Sequence, residues 1–127
     1  MDKDENSIFI TGSTGLVGSR IVELLTPSFN FLPINRSNGF NITNRESLEC
    51  LSNSKAKFLI HLAAKTDVDG CESEKDREMA SEAWKINVGG TENIVDFCLK
   101  NNVKLIFIST DFVFDGKKEK GNGYTEE

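Results

Sequence analysis

The chain of 127 residues is one domain's worth of sequence, and its 15 Lys and Arg against 20 Asp and Glu leave a net charge of −5. That balance speaks against the concentrated basic face that a nucleic-acid or anionic-membrane partner requires, and no run approaches the roughly 20 apolar residues of a membrane span. The start, Met1-Asp2-Lys3-Asp4-Glu5-Asn6, lacks the apolar core of a signal peptide, so a cytoplasmic protein is expected, and the widely spaced Cys50, Cys71 and Cys98 read as reduced thiols.

In chain order, Ser7 to Thr11 is a β-branched and aromatic run ending in glycine, which predicts a buried parallel strand. Leu16, Val17, Ile21, Leu24 and Leu25 recur at helical spacing within Gly15 to Leu25, with Pro27 as a stop signal. A second strand is predicted over Asn30 to Asn35 despite Pro33. Thr43-Asn44-Arg45-Glu46 has the capping-box pattern and opens a short helix to about Leu51. Lys57 to Ala64 is the next apolar run, reaching small residues at its carboxyl end, and a loop with Asp67, Asp69 and Gly70 follows. From about Asp76 to Lys100 a stripe at spacings of three and four, including Ala80, Ala83, Trp84, Asn87, Val88, Thr91, Ile94, Val95, Cys98 and Leu99, predicts one long helix packed on a sheet. Val103 to Ser109 reads as another buried strand, and Lys117 to Gly123 as a solvated loop.

Strands alternating with helices imply right-handed crossovers, hence an α/β fold with a mostly parallel sheet and helices on both faces. Ligands of such sheets bind at the carboxyl ends of the strands, which makes Thr11 to Gly18, Ala63 to Gly70 and Ser109 to Gly116 one rim of a crevice.

Gly12-Ser13-Thr14-Gly15-Leu16-Val17-Gly18 stands between a strand and a helix, where three glycines allow a tight turn, close approach to a pyrophosphate, and close helix–strand packing. The helix amino terminus adds unpaired N–H groups for the anion. After the second strand, Asn35-Arg36-Ser37 offers no acid for a ribose 2′-OH, and Arg36 leans the reading towards NADP over NAD. Asn87, on an apolar stripe, must find hydrogen-bond partners, either orienting loops or water near a cofactor or tying its helix to a neighbouring backbone. His61 reads as a satisfied core histidine with no second metal ligand beside it. Ser109-Thr110-Asp111 closes the last strand, where a hydroxyl can donate to a carbonyl oxygen that gains charge on reduction.

Taken with His61-Leu62-Ala63-Ala64, Val68-Asp69, Asn87-Val88-Gly89-Gly90-Thr91 and Ile108-Ser109-Thr110-Asp111-Phe112-Val113-Phe114-Asp115-Gly116, the glycine segment resembles extended short-chain dehydrogenases, most closely the dTDP-4-dehydrorhamnose reductases. The resemblance implies a Rossmann-like NAD(P)-binding domain over residues 1–127, truncated before its later strands and a substrate domain. It implies that Gly12, Thr14, Gly15, Leu16, Val17 and Gly18 hold the pyrophosphate, that Asn41 and Ile42 lie against adenine, and that Ala63, Ala64 and Lys65 run beside the cofactor ribose. Asn41 departs from the acid usual at that place. Thr110 would be the hydroxyl member of a Thr-Tyr-Lys catalytic set, with Asp111, Phe112 and Val113 lining a sugar pocket.

The tyrosine and lysine of that set have no counterpart: Tyr124 is the one tyrosine, and no lysine follows Lys120. The chain is therefore expected to bind a dinucleotide and turn over nothing by itself, a sugar nucleotide being the partner of its longer parent; a homo-oligomer is compatible with the pattern. A different class fits the missing pair equally, a non-catalytic regulatory module resembling the regulatory β subunit of methionine adenosyltransferase. A third is a degraded gene product whose exposed sheet edges would aggregate.

Overall fold

A computed structural model of the chain describes residues 6–73, 80–119 and 121–125. β1 (Ser7–Thr11), β2 (Asn30–Ile34), β3 (Phe58–His61) and β4 (Lys104–Phe107) form a parallel sheet of order β2-β1-β3-β4. Between them run α1 (Leu16–Leu25), α2 (Arg45–Glu49), α3 (Val68–Ser73), α4 (Glu82–Trp84) and α5 (Thr91–Asn101). This is the α/β, Rossmann-like arrangement expected from the alternation of strands and helices.

Register decides where the core lies, because directly paired residues of parallel strands point to the same face. Phe9 pairs with Leu32 and Leu59, and Leu59 with Leu105. On that face the core closes: Leu48 of α2 and Ile94, Phe97 and Cys98 of α5 join Phe9, Ile34 and Leu59 in one buried cluster. Phe97 meets Phe9 edge-on, with ring centroids 5.7 Å apart, a geometry that sets the positive ring edge against the negative face. Ile10, Ile60 and Ile106 form a row on the opposite face. There α1 lies over β1 and β2, its Ser19, Val22 and Glu23 facing Ile10, Phe31 and Pro33 across a shallow groove.

Several expectations need correction. The segment Val103 to Ser109 is not a buried strand: β4 is shorter, and Ile106 and Phe107 are about half exposed. Ile106 lies on the second face, which no described element covers at β3 and β4, whereas Phe107, paired with His61, lies on the Phe9 face at the last residue of β4. The apolar stripe of the first helix is largely outside the core as well, Leu16, Val17, Leu24 and Leu25 all being exposed. α1 seats instead on buried Gly18, whose missing side chain lets the helix approach, with Ile21 and Val22 half buried. The loop predicted at Asp67 to Gly70 becomes α3, because the Asp67 carboxylate accepts the Gly70 N–H at 3.1 Å and so satisfies one orphan donor of a helix start. Asn44, not Thr43, caps α2, accepting the Glu46 N–H at 3.0 Å. Thr43 donates its hydroxyl to Asn41 instead.

The long helix is not uniform. Asp76 to Met79, its expected beginning, lie outside the described residues, and Lys85–Gly90 between α4 and α5 is a π-helical stretch. Such a segment widens the turn by one residue and re-aims the side chains on either side; here it carries Asn87 and, one step later, Thr91 towards β3.

Burial separates the thiols. Cys98 is buried and burial pushes its pKa up to about 11, whereas Cys50 is exposed. Since the thiolate is the nucleophile, iodoacetamide at pH 8 is expected to alkylate Cys50 in the native chain and Cys98 only after denaturant is added. Peptide mapping that found Cys98 modified first would contradict the packing of α5 on the sheet.

Candidate functional site

The crevice is built from the turn after β1. Gly12 takes φ of +67°, a left-handed conformation that side chains resist, and an added Cβ there would stand 2.8 Å from the Ala63 nitrogen and the Leu62 carbonyl carbon. The Gly15 N–H closes the turn on the Gly12 carbonyl at 3.1 Å. A Cβ on Gly18 would fall 2.2 Å from the same Gly12 oxygen. Turn, helix and the chain leaving β3 are thus in backbone contact. The helical ladder of α1 begins with Ser19 N–H on the Gly15 carbonyl, which leaves the N–H groups of Leu16, Val17 and Gly18 ahead of it. No side chain caps this end and no acid lies in its first turn, so the positive end of the helix dipole is uncompensated. A cradle closed to side chains beside such a terminus fits the pyrophosphate of a dinucleotide. Thr14 is exposed on the turn, and the Asn35 amide reaches from the end of β2 to Ser13 Oγ at 3.4 Å.

The second wall starts where β3 ends. Thr11 Oγ1 accepts the N–H groups of Leu62 and Ala63, each at 3.0 Å, and lies 2.7 Å from His61 Nδ1. His61 Nε2 is 3.0 Å from Thr91 Oγ1, so this histidine is buried with both nitrogens partnered, as the sequence led one to expect. Asn87 ties its helix to the backbone beyond β3. Its Oδ1 accepts the Lys65 N–H at 2.7 Å and its Nδ2 donates to the Lys65 carbonyl at 3.0 Å. That bidentate clamp fixes the chain just beyond Ala63 and Ala64.

On the side of β2, Arg36 is exposed in a 3-10 turn, Arg36–Asn38, capped by the Asn35 side chain. Lys65 Nζ pairs with Glu82 at 2.7 Å. That hydrogen bond and the charge of Lys65 hold the Glu82 carboxyl below its ordinary range, with smaller help from the charges of Arg36 and Lys85. Asn41 is engaged locally, its Oδ1 accepting from Thr43, and Ile42 is buried against Gly90 while its carbonyl accepts from Asn93 at 2.8 Å.

Thr110 to Val113 stand apart from the glycine turn, past β4 at the far side of β3. The Thr110 hydroxyl is exposed and directed at Asp111 Oδ1 at 3.4 Å, and Val113 is exposed too; the Phe112 side chain, like those of Val68, Asp69 and Cys71, is outside the described set. The following loop is solvated but tied. Tyr124 Oη donates to Asp115 at 2.7 Å, holding that carboxyl below its ordinary range, while the Tyr124 ring stacks on Phe114 at 4.6 Å. Sequence reasoning passed over Thr11 and Thr91 as ligands of His61 and Glu82 as partner of Lys65. A threonine closing a buried strand was the one signal that could have pointed to the first of these. Among the described residues no group of His, Cys, Asp and Glu could hold a metal ion, and no helix is long and apolar enough to cross a membrane.

Comparison with known proteins agrees with this geometry. A family described as the RmlD substrate binding domain matches residues 6–127. dTDP-4-dehydrorhamnose reductase of Aggregatibacter actinomycetemcomitans is 32% identical over 114 residues, 87% of this chain but 37% of that enzyme. Methionine adenosyltransferase 2 subunit beta of Rattus norvegicus is 29% identical over 129 residues, 94% of this chain and 36% of that protein. Among solved structures, dTDP-4-dehydrorhamnose reductase of Bacillus anthracis in complex with NADP superimposes with a TM-score of 0.78 at 31% identity, covering 92% of this chain and 40% of that one. The chain thus spans well under half the length of the relatives it matches.

Proposed function

The chain belongs to the RmlD substrate binding domain family, and on that premise we propose that it is the dinucleotide-binding portion of a reductase that delivers hydride from NADPH or NADH to a 4-keto sugar nucleotide. One observation carries the reading: the Gly12 turn packs backbone to backbone on Leu62 and Ala63 beside an uncapped, acid-free amino terminus of α1. Gly12, Thr14, Gly15 and the N–H groups of Leu16, Val17 and Gly18 take the pyrophosphate. Arg36 takes the 2′-phosphate that distinguishes NADP, Asn41 and the backbone of Ile42 border the adenine, and Ala63, Ala64 and Lys65 border the ribose, with Asn87 fixing the Lys65 backbone. When bound, the dinucleotide supplies the hydride. Thr110 offers a hydroxyl to the sugar carbonyl, and Asp111, Phe112 and Val113 give the sugar one wall.

Calorimetric titration of the 127-residue chain with NADPH and with NADH tests this. Saturable binding is expected, lost in Gly15→Asp, whose carboxylate would lie against the anion, and favouring NADPH over NADH by about tenfold through one charge-assisted contact that Arg36→Ala removes. A folded chain that binds neither nucleotide would overturn the reading. The match to the regulatory subunit supports a second one, in which the longer protein binds the dinucleotide without reducing anything. A longer protein that binds NADPH yet leaves it unoxidised with a 4-keto sugar nucleotide would favour that alternative.

A further inference from the structure

The hydrogen-bond set around His61 can be assigned proton by proton. A threonine hydroxyl has two lone pairs and one hydrogen. Backbone N–H groups can only donate, and two of them, from Leu62 and Ala63, meet Thr11 Oγ1 at 3.0 Å each. Both lone pairs are therefore filled. The remaining hydroxyl proton points to His61 Nδ1, 2.7 Å away, and that nitrogen must be the unprotonated acceptor. A neutral imidazole carries its single proton on the other nitrogen, so Nε2–H donates to Thr91 Oγ1 at 3.0 Å. Burial holds the His61 pKa below its ordinary value of 6.5, in keeping with a neutral ring. The ring lies stacked on Phe107 at 5.8 Å, which limits its rotation.

The consequence lies at the crevice. Leu62 and Ala63 are the backbone atoms that Gly12 approaches so closely that no side chain fits between. By taking the Thr11 proton, His61 orients the hydroxyl so that both lone pairs face those N–H groups and leaves no buried donor unsatisfied. Thr91, the other anchor, opens α5 directly after the π-helical stretch that brings Asn87 to Lys65. We propose that His61 is a positioning residue of the dinucleotide site: as a neutral, Nε2-protonated ring it bridges Thr11 and Thr91 and so fixes the Leu62–Ala63 backbone as the floor beneath the Gly12 turn. The proposal rests on the dinucleotide reading above for its functional half, while the proton assignment stands without it.

His61 is the one histidine of the chain, so its ring nitrogens are observed without overlap in a long-range nitrogen–proton NMR spectrum. A pyridine-like Nδ1 and a pyrrole-like Nε2 are expected at pH 7; the reverse pattern, or two protonated nitrogens, overturns the assignment. For the function, NADPH is titrated into His61→Leu, which keeps neither hydrogen bond, and into His61→Asn, whose side-chain oxygen can replace Nδ1 as acceptor. His61→Leu is expected to bind about tenfold more weakly, the effect of one net buried hydrogen bond, with partial rescue in His61→Asn. Faster hydrogen exchange at the Leu62 and Ala63 amides, with those of β1 and β2 unchanged, should accompany the loss. If His61→Leu does not fold, Thr91→Val decides, since it leaves the histidine in place and removes its acceptor. Unchanged NADPH affinity and unchanged exchange at Leu62 and Ala63 in the folded variants overturn the positioning role. A wild-type chain that fails to bind NADPH while showing the expected nitrogen pattern would instead refute the dinucleotide reading.

Discussion

Gly18→Ala is expected to abolish saturable NADPH binding and to destabilise the chain by about 1 to 3 kcal/mol, the range of an overpacked core position. The added Cβ would lie 2.2 Å from the Gly12 carbonyl oxygen and 2.9 Å from the Gly12 carbonyl carbon and Ser13 Cα. Each of these is a backbone atom, so no rotamer change relieves the overlap. Either α1 moves out from the sheet by about 1 Å to restore ordinary contact, or the Gly12–Gly15 turn opens. Both movements displace the N–H groups of Leu16 and Val17 from the place the pyrophosphate would take. Gly89→Ala is the control, because that glycine has open space where the Cβ would go and alanine is the better helix former by about 1 kcal/mol. It should bind NADPH as the wild type does. A Gly18→Ala chain that kept wild-type affinity would show that the tight contact between α1 and the turn has no part in binding.

The glycine turn was legible in the sequence because its requirement is local. A left-handed Gly12 and a buried Gly18 are demands of the backbone itself, and glycine meets them visibly. The order of elements was legible for a similar reason, since period-two and period-3.6 patterns are read over short windows. Thr11 is different. Its role depends on His61, Leu62 and Ala63, some 50 residues on, being set beside it by the β1–β3 pairing, and no spacing along the chain announces that. The π-helical stretch was also hidden, because a stripe at spacings of three and four tolerates one widened turn without losing its pattern. The ends of the elements failed where a side chain captured a backbone donor, as Asp67 does at α3. Apolarity proved a poor guide to depth: Leu16 heads an apolar stripe and yet is 92% exposed.

That last contrast can be measured. Phe9→Ala is expected to lower the free energy of unfolding by about 3 to 5 kcal/mol, from lost burial plus the cavity left behind. Phe9 is 1% exposed, sits on an interior strand and loses its edge-on partner Phe97 with the ring. Since a domain's whole stability is about 5 to 15 kcal/mol, urea should unfold this variant at a much lower midpoint, and a large part of the population could be unfolded before denaturant is added. Leu99→Ala removes a side chain just as apolar in the helix that carries Phe97, yet one that is 77% exposed. Its cost should stay within about 0.5 kcal/mol, as for other surface positions. Both side chains are apolar and both lie in segments whose patterning predicts packing against the core, so the difference between them measures depth of burial rather than apolarity. Equal losses would mean that the outer face of α5 is covered in solution, and with it that the core extends beyond the Phe9 face on which the crevice is built.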